Sequence, residues 1–455
     1  MQSDARPNLQ PALNKAYLSK VRVTEFRCYQ QAEIRPGPWP VVLTGPNGAG
    51  KTNILEAISM LNPGRGLRGA RLADLARVSA DADDLYGRGG GDWAVAATVQ
   101  GSAGSADLGT GRSRAAGIVD FGGEAPASDQ TTGDSSSLQS PVTRERRVVR
   151  IDGQQVGGPA ALADWLPLLW LTPQMDRLFT ETASSRRRFL DRLVLGVDSG
   201  HSRRVSGYEK AMRERARLLR EQAAGRGQAD PAWLSALEET MAGHGVAVAA
   251  ARRETVDRLR HAQDQNRDQK RDQDQAGDWS VTAFPRGDMQ ASGLLEDWLE
   301  TMAAVDVEER FAAALCEARA QDGASGFTSL GPHRSDLVVI HRENRLPAAQ
   351  CSTGEQKALL TGIILVAARL RVMQGGDTPV LLLDEVAAHL DHDRRRALFD
   401  EICQLGCQAW ITGTDRAMFD GLGGRAQFFR VEGAVITADG EIAGETGYND
   451  DRKQT

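Results

Sequence analysis

Apolar positions in this chain follow two spacings, and their alternation divides it into parts. Near the start, Leu18, Val21, Val23 and Phe26 recur at strand spacing and predict a strand with a hairpin partner over 18–34. A short apolar run at 39–43 predicts another strand. A helix follows to about Leu61, where Pro63-Gly64-Arg65-Gly66 breaks it. Strand-like runs return at 93–99, 117–121 and 147–151, and Asp152-Gly153 marks a tight turn. From 184 to about 319 the spacing becomes helical. Residues 203–222 and 233–260 read as two long helices around a break at 225–231, suited to an antiparallel pair. Strands resume at 327–330 and 337–340, then a helix at 352–372, an apolar strand at 380–383, a helix at 394–405 and an apolar strand at 408–411. Uninterrupted apolar runs of this length predict strands covered on both faces, as in a parallel sheet.

The expected fold class is therefore α/β, with one domain made from both ends of the chain, 1–183 and 323–455. An α-helical domain is inserted between them at 184–322. Between 80 and 143 Gly, Ala, Ser, Thr and Asp dominate, and about 100–143 reads as a low-complexity hairpin insertion. Within it, 122–143 has almost nothing to bury and is expected to be a disordered loop. The Asp/Gln/Arg/Lys tract at 263–275 has no apolar face and reads as an exposed helix end or disorder. The tail from 446 is polar.

Composition narrows the classes. The 455 residues contain no run of about 18 uncharged apolar residues, so no membrane span is expected. The N-terminus lacks a signal-peptide layout. Five scattered cysteines suggest reduced thiols and a cytoplasmic setting. Cys403 and Cys407 read as helix-end residues and not zinc ligands, having no second ligand pair nearby. A net charge of −6 argues against coating nucleic acid through bulk charge. Any such binding must use a local basic face.

Three motifs carry chemistry. Gly45-Pro46-Asn47-Gly48-Ala49-Gly50-Lys51-Thr52 lies between an apolar strand and a helix, the context of a phosphate-binding P-loop. Its glycines let backbone N–H groups face phosphate oxygens, Lys51 would neutralise the β- and γ-phosphates, and Thr52 would ligate Mg²⁺. Val380 to Leu383, followed by Asp384-Glu385, has the Walker B pattern. Asp384 would hold Mg²⁺ and Glu385 would act as general base on the attacking water. Ser352-Thr353-Gly354-Glu355 opens a helix. It reads equally as a capping box or as hydroxyl and N–H donors for a γ-phosphate.

Together with Asp391, which follows in Ala388-His389-Leu390-Asp391, these motifs resemble the ABC-type ATPase head shared with the SMC proteins. The resemblance implies that ATP is held between two heads. Ser352 and Gly354 would contact ATP bound by the second copy, and Asp391 would lie at the dimer seam. Gln174 would be the Q-loop residue that senses Mg²⁺. No switch histidine follows the last strand. Thr412-Gly413-Thr414 stands there, so a hydroxyl, that of Thr412 or Thr414, would sense the γ-phosphate.

A closer resemblance rests on five segments: Phe26-Arg27-x-Tyr29, Gly64-Arg65-Gly66-Leu67-Arg68, Arg187-Arg188-Phe189-Leu190-Asp191, Gly331-Pro332-His333-Arg334-Ser335-Asp336 and the segment from Leu383 to Asp391. They are similar to the RecF family of bacterial gap-repair ATPases over nearly the whole chain except about 80–143. Departures are Gln174, where that family commonly has an acid, the turn Glu181-Thr182-Ala183-Ser184, and a longer insertion. The resemblance implies ATP and Mg²⁺ as cofactors and an ATP-dependent homodimer that clamps double-stranded DNA near single-strand gap junctions. Slow hydrolysis would release the DNA. It also implies partnership with RecR and RecO, support of RecA loading, and SOS induction. Candidate DNA contacts are Arg144, Arg146 and Arg147 on the hairpin, and Arg186, Arg187, Arg188, Arg203 and Arg204 on the helices. For any single arginine, pairing with a nearby acid is the commoner outcome. Two other readings are an ABC-type subunit coupled to a membrane partner and a nucleotide-gated scaffold that binds only protein. The missing switch histidine and the RecF-like segments weigh against the former.

Overall fold

A computed structural model of the chain describes residues 15–78, 91–112, 147–273 and 283–439. The expected loop at 122–143, the run at 117–121, Arg144, Arg146 and the tail from 446 lie outside the described residues. The strands are β1 Tyr17–Phe26, β2 Tyr29–Ile34, β3 Val41–Thr44, β4 Trp93–Gly101, β5 Gly104–Arg112, β6 Arg147–Ile151, β7 Gln154–Gln155, β8 Leu168–Leu171, β9 Gly287–Ser292, β10 Asp336–His341, β11 Leu346–Pro347, β12 Val380–Leu383, β13 Ala409–Gly413, β14 Gln427–Glu432 and β15 Val435–Ala438. The helices are α1 Lys51–Ser59, α2 Ala183–Val197, α3 His201–Ala223, α4 Pro231–Gln273, α5 Leu294–Thr301, α6 Ala304–Glu317, α7 Arg319–Ser325, α8 Thr353–Met373 and α9 His392–Leu405.

The chain forms two compact units. The first comprises Met1–Leu166, Val380–Ala388 and Ile402–Thr455; the second comprises Pro167–Pro379 and His389–Glu401. The fold class is α/β, and the first unit is drawn from both ends of the chain. Among the described residues no helix is long and apolar enough to cross a membrane.

In the first unit β2, β1, β4, β5, β6 and β7 form an antiparallel sheet in that order. β5 lies inside the stretch read as low complexity. Its sequence, with three glycines, has little strand propensity of its own. It becomes a strand because it is paired on both sides, Trp93↔Arg112 to Gly101↔Gly104 with β4 and Leu108↔Ile151 to Arg112↔Arg147 with β6. A second sheet carries β15, β14, β3, β13 and β12. β14, β3, β13 and β12 are mutually parallel, with Ile411 opposite both Val42 and Leu383. Every residue of β3, β12 and β13 is buried, as uninterrupted apolar runs require. The C-terminal ends of three adjacent strands thus share one edge, where ligands bind in open parallel sheets.

The second unit is mainly helical. Gly207 of α3 faces His244 of α4 while Arg215 reaches Glu238, so the two long helices run antiparallel. Tyr208, Ala211, Leu237, Met241, Val246 and Ala249 pack with Val307, Phe311 and Leu315 of α6. α4 continues to Gln273, so most of the Asp/Gln/Arg/Lys tract is helix. β10 is flanked by β9 and β11 in an antiparallel sheet, which places 323–379 within this unit.

Two polar clusters fix the helices. Arg215, 0% exposed, donates to Glu238 at 2.9 Å, to Asp322 at 2.6 Å and to the Leu315 carbonyl at 2.6 Å. The other gathers on the segment Gly331 to Asp336. Arg252 donates to the Pro332 carbonyl and to both oxygens of Asp191, Tyr208 shares a 2.6 Å hydrogen bond with His333, Arg187 donates to the Ser335 carbonyl and Arg186 grips Asp336. A Cβ on Gly331 would lie 2.1 Å from the Tyr208 hydroxyl, and its φ is +131°, so only glycine fits. Burial alone would raise the Asp191 pKa, but the Arg252 charge and hydrogen bonds from His201 and Arg252 prevail and lower it to about 2.

Removing one member of the Arg215 cluster leaves buried charge unpaired. Arg215→Ala is therefore expected to cost about 3–5 kcal/mol in urea unfolding. A change below about 1 kcal/mol would show that the cluster does not hold the helices.

Candidate functional site

β3 ends at Thr44 and the chain turns through Gly45 into α1 at Lys51. A Cβ on Gly45 would sit 2.1 Å from the Val431 carbonyl oxygen, and its φ is +146°, so glycine alone lets this loop lie against β14. Gly48 and Gly50 also take positive φ, 80° and 114°. Lys51 is buried, and its Nζ donates to the carbonyls of Gly45 at 2.7 Å and Pro46 at 2.9 Å. Burial lowers the Lys51 pKa, and the nearby Glu385 and Asp384 carboxylates partly offset this. The loop thus brings together a lysine and the N-terminus of a helix, both suited to an anion.

Thr52 donates from Oγ1 to Asp384 Oδ1 at 2.8 Å, although the two residues are 332 apart in sequence. The adjacency of β3, β13 and β12 makes this contact. Two oxygens at this separation are close to the spacing of neighbouring ligands of an octahedral Mg²⁺, about 3.0 Å when each metal–oxygen distance is ~2.1 Å. The oxygen donors fit a hard cation such as Mg²⁺.

Thr412 was expected to meet a γ-phosphate, and the structure corrects this. Its side chain is 0% exposed. The hydroxyl donates to Asp384 Oδ1 at 2.9 Å and accepts the Glu385 N–H at 2.9 Å. It lies behind the acid pair because it points inward from a fully buried strand. Thr414, one residue beyond the strand, is exposed. Glu385 itself is in the left-handed region at φ +54°.

Three further groups brace α1. Glu56, 1% exposed, pairs with Arg27 at 2.7 Å and Arg68 at 3.3 Å. These arginines come from Phe26-Arg27-x-Tyr29 and from the end of Gly64-Arg65-Gly66-Leu67-Arg68. Tyr29 and Cys28 pack on Gly50, where a Cβ would meet Tyr29 Oη at 2.6 Å and Cys28 Sγ at 2.8 Å. Sequence reasoning missed Glu56. Its signal was an acid inside the otherwise apolar run Ile54 to Ile58. Arg147 was expected on DNA, but it turns inward and donates to the carbonyls of Met60, Gly64 at 2.7 Å and Asn62 at 3.2 Å, and to Thr110 Oγ1 at 2.8 Å. Burial lowers its pKa to about 10. It tethers the chain at the end of α1, which removes it as a phosphate contact.

In the second unit Ser352 is the N-cap of α8, with a complete capping box. Ser352 Oγ donates to Glu355 Oε2 at 2.8 Å, the Ser352 N–H donates to the same oxygen at 2.8 Å, and Asn344 donates to Oε1 at 2.9 Å. These bonds lower the Glu355 pKa. Ser352 and Gly354 are exposed, and nothing lies within 4 Å of where a Gly354 Cβ would be. Gln174 is exposed on the turn after β8, which the Asp176–Lys357 pair at 2.8 Å ties to α8. Asp391 is exposed and accepts the Arg394 N–H at 2.8 Å, capping α9. Among the arginines, Arg186 is committed to Asp336, Arg187 to the Ser335 carbonyl and Arg204 to Asp198. Arg188 and Arg203 are exposed.

Residues 20–66 match a family model described as an AAA domain. The chain is 44% identical over 429 residues to the DNA replication and repair protein RecF of Rhizobium leguminosarum bv. trifolii, covering 94% of this chain and 99% of that protein. It is 46% identical over 422 residues to RecF of Mesorhizobium japonicum, covering 93% and 98%. A solved structure of the recombination mediator protein RecF-ATP in the RecFOR pathway superposes with a TM-score of 0.70 at 18% identity, covering 96% of this chain and 100% of that one.

Replacing the buried carboxylate by an amide, Glu56→Gln, is expected to lower stability by about 1.5–3 kcal/mol and to weaken nucleotide binding severalfold. Thermal unfolding and a fluorescent-nucleotide titration read the two effects. If neither changes, the arginine brace does not position α1.

Proposed function

Because the chain belongs to the RecF family of DNA replication and repair proteins, we propose that its P-loop unit binds ATP with Mg²⁺ and that nucleotide gates its hold on DNA. The observation that carries this reading is the Thr52–Asp384 hydrogen bond, with Lys51 and Glu385 beside it. Lys51 leaves the carbonyls of Gly45 and Pro46 and takes the β- and γ-phosphate oxygens. Thr52 Oγ1 and Asp384 would hold Mg²⁺, which would supply neutralisation of the phosphate charge. Glu385 orients and deprotonates the attacking water.

The second half of the site comes from another copy. Ser352 and Gly354 are exposed at the N-terminus of α8, where hydroxyl and N–H donors suit a γ-phosphate. The Ser352 hydroxyl exchanges Glu355 for the partner copy's phosphate, Gln174 is the candidate residue for sensing Mg²⁺, and Asp391 is the candidate for the seam between copies. ATP thereby joins two heads, and hydrolysis separates them.

Duplex DNA, near junctions with single-stranded gaps, is the macromolecular ligand of the dimer. In the RecFOR pathway named for the related structures, the protein partner is RecR together with RecO. With a net charge of −6, and with Arg147, Arg186 and Arg204 committed to internal partners, one copy offers a weak electrostatic surface. Arg188 and Arg203 are exposed and stand as DNA candidates, and two aligned copies double their number.

Fluorescence anisotropy with duplex DNA tests the gating. ATP with Mg²⁺ is expected to tighten binding at least about tenfold and to steepen the salt dependence as more phosphates are contacted. Affinity and salt slope that ignore ATP would favour a nucleotide-gated scaffold that binds only protein.

A further inference from the structure

We propose that Thr412 is a positioning residue for ATP hydrolysis, which sets the Glu385 carboxylate through a buried hydrogen bond to the Glu385 backbone. The inference rests on the proposed ATPase reading and adds to it a role for a residue that touches neither nucleotide nor metal.

Thr412 lies on β13, between the strand that feeds the P-loop and the strand that ends at the acid pair, and its register partner on β3 is Leu43. A hydroxyl has one donor and two acceptor sites. Here the donor goes to Asp384 Oδ1 and an acceptor site takes the Glu385 N–H, each at 2.9 Å, so the two bonds are compatible in polarity. Both are made out of solvent, where no water can replace them. The hydroxyl therefore links the side chain of one acid to the backbone of the next.

The linked residue is in a conformation it would not choose. Glu385 has φ +54°, a region that non-glycine residues avoid and that persists only where surrounding structure enforces it. The Thr412 hydrogen bond is an enforcing contact. Thr412 itself is firmly seated. At the next residue, Gly413, a Cβ would lie 2.5 Å from the ring of Phe419, which is 0% exposed, so that ring is packed directly on the end of β13. Loss of the hydroxyl lets the Glu385 backbone relax and swings its carboxylate, while the P-loop keeps its geometry. Thr52 reaches Asp384 Oδ1 from the P-loop side and remains available to a metal ion.

Steady-state ATPase kinetics and nucleotide titration of Thr412→Val test this. A displacement on the order of 1 Å at a reacting group costs roughly a hundredfold. Thr412→Val is therefore expected to lower kcat about ten- to a hundredfold while KM and the ATP Kd stay within about threefold. Thr412→Ser, which keeps the hydroxyl, should recover kcat to within about threefold of wild type. In a Glu385→Gln background Thr412→Val should lower the residual rate no further, because a merely structural lesion would still act there. An unchanged kcat, a loss of ATP affinity matching the loss of rate, or full additivity with Glu385→Gln would overturn the assignment. If Thr412→Val does not fold, as judged by thermal unfolding, Thr412→Ser and Thr412→Cys decide it, serine predicted active and cysteine impaired. A wild-type protein that hydrolyses no ATP with Mg²⁺ and DNA would sink the ATPase reading and this role with it. A hydrolysing wild type with an unaffected variant would sink this role alone.

Discussion

One hydrogen bond, from Thr52 to Asp384, depends on much of the first unit's architecture. Neither residue can reach the other unless the strand before the P-loop and the strand before the acid pair lie in one parallel sheet with β13 between them. Parallel strands cannot be joined by a tight turn, so the chain must leave after α1 and return. It leaves for more than three hundred residues, and these supply four of the six antiparallel strands, β4 to β7, and nearly all of the helical unit. The site is therefore a consequence of topology, and its two halves meet across 332 residues of sequence.

In both units buried charge is used to hold elements in place. Arg27 and Arg68 meet on Glu56, Arg147 collects carbonyls after α1, and Arg215 and Arg252 join helices to acids. Such pairs add little net stability over apolar packing, but breaking one is costly, which makes them good at fixing geometry. They also explain why counting basic residues misleads. Several arginines that look like phosphate contacts in the sequence already have partners inside the fold.

The α/β class was legible because long-range order follows from simple patterns. Apolar runs at 41–43 and 380–383 must be buried on both faces, and glycines before Lys51 have few other uses. Four features were not legible, for physical reasons. β5 has almost no strand propensity and exists through pairing on both sides. Glu56 is acidic within an apolar helix face and makes sense only once Arg27 and Arg68 are brought to it. Arg147 follows a low-complexity stretch, and its inward turn depends on carbonyls more than eighty residues away. Thr412 occupies the place of a missing switch histidine, which suggested contact with phosphate. Its place inside the fully buried β13 keeps it from solvent, whereas Thr414 lies one residue beyond the strand and is exposed.

The central claim is that the P-loop unit is only half of a working site and that ATP completes it by joining two copies. Sedimentation velocity of the full chain, with and without ATP and Mg²⁺, measures this directly. The account predicts a monomer that becomes a dimer with nucleotide, and a Ser352→Arg variant that still binds ATP but stays monomeric. A wild type that remains monomeric at saturating ATP, or a Ser352→Arg variant that dimerises normally, would contradict it.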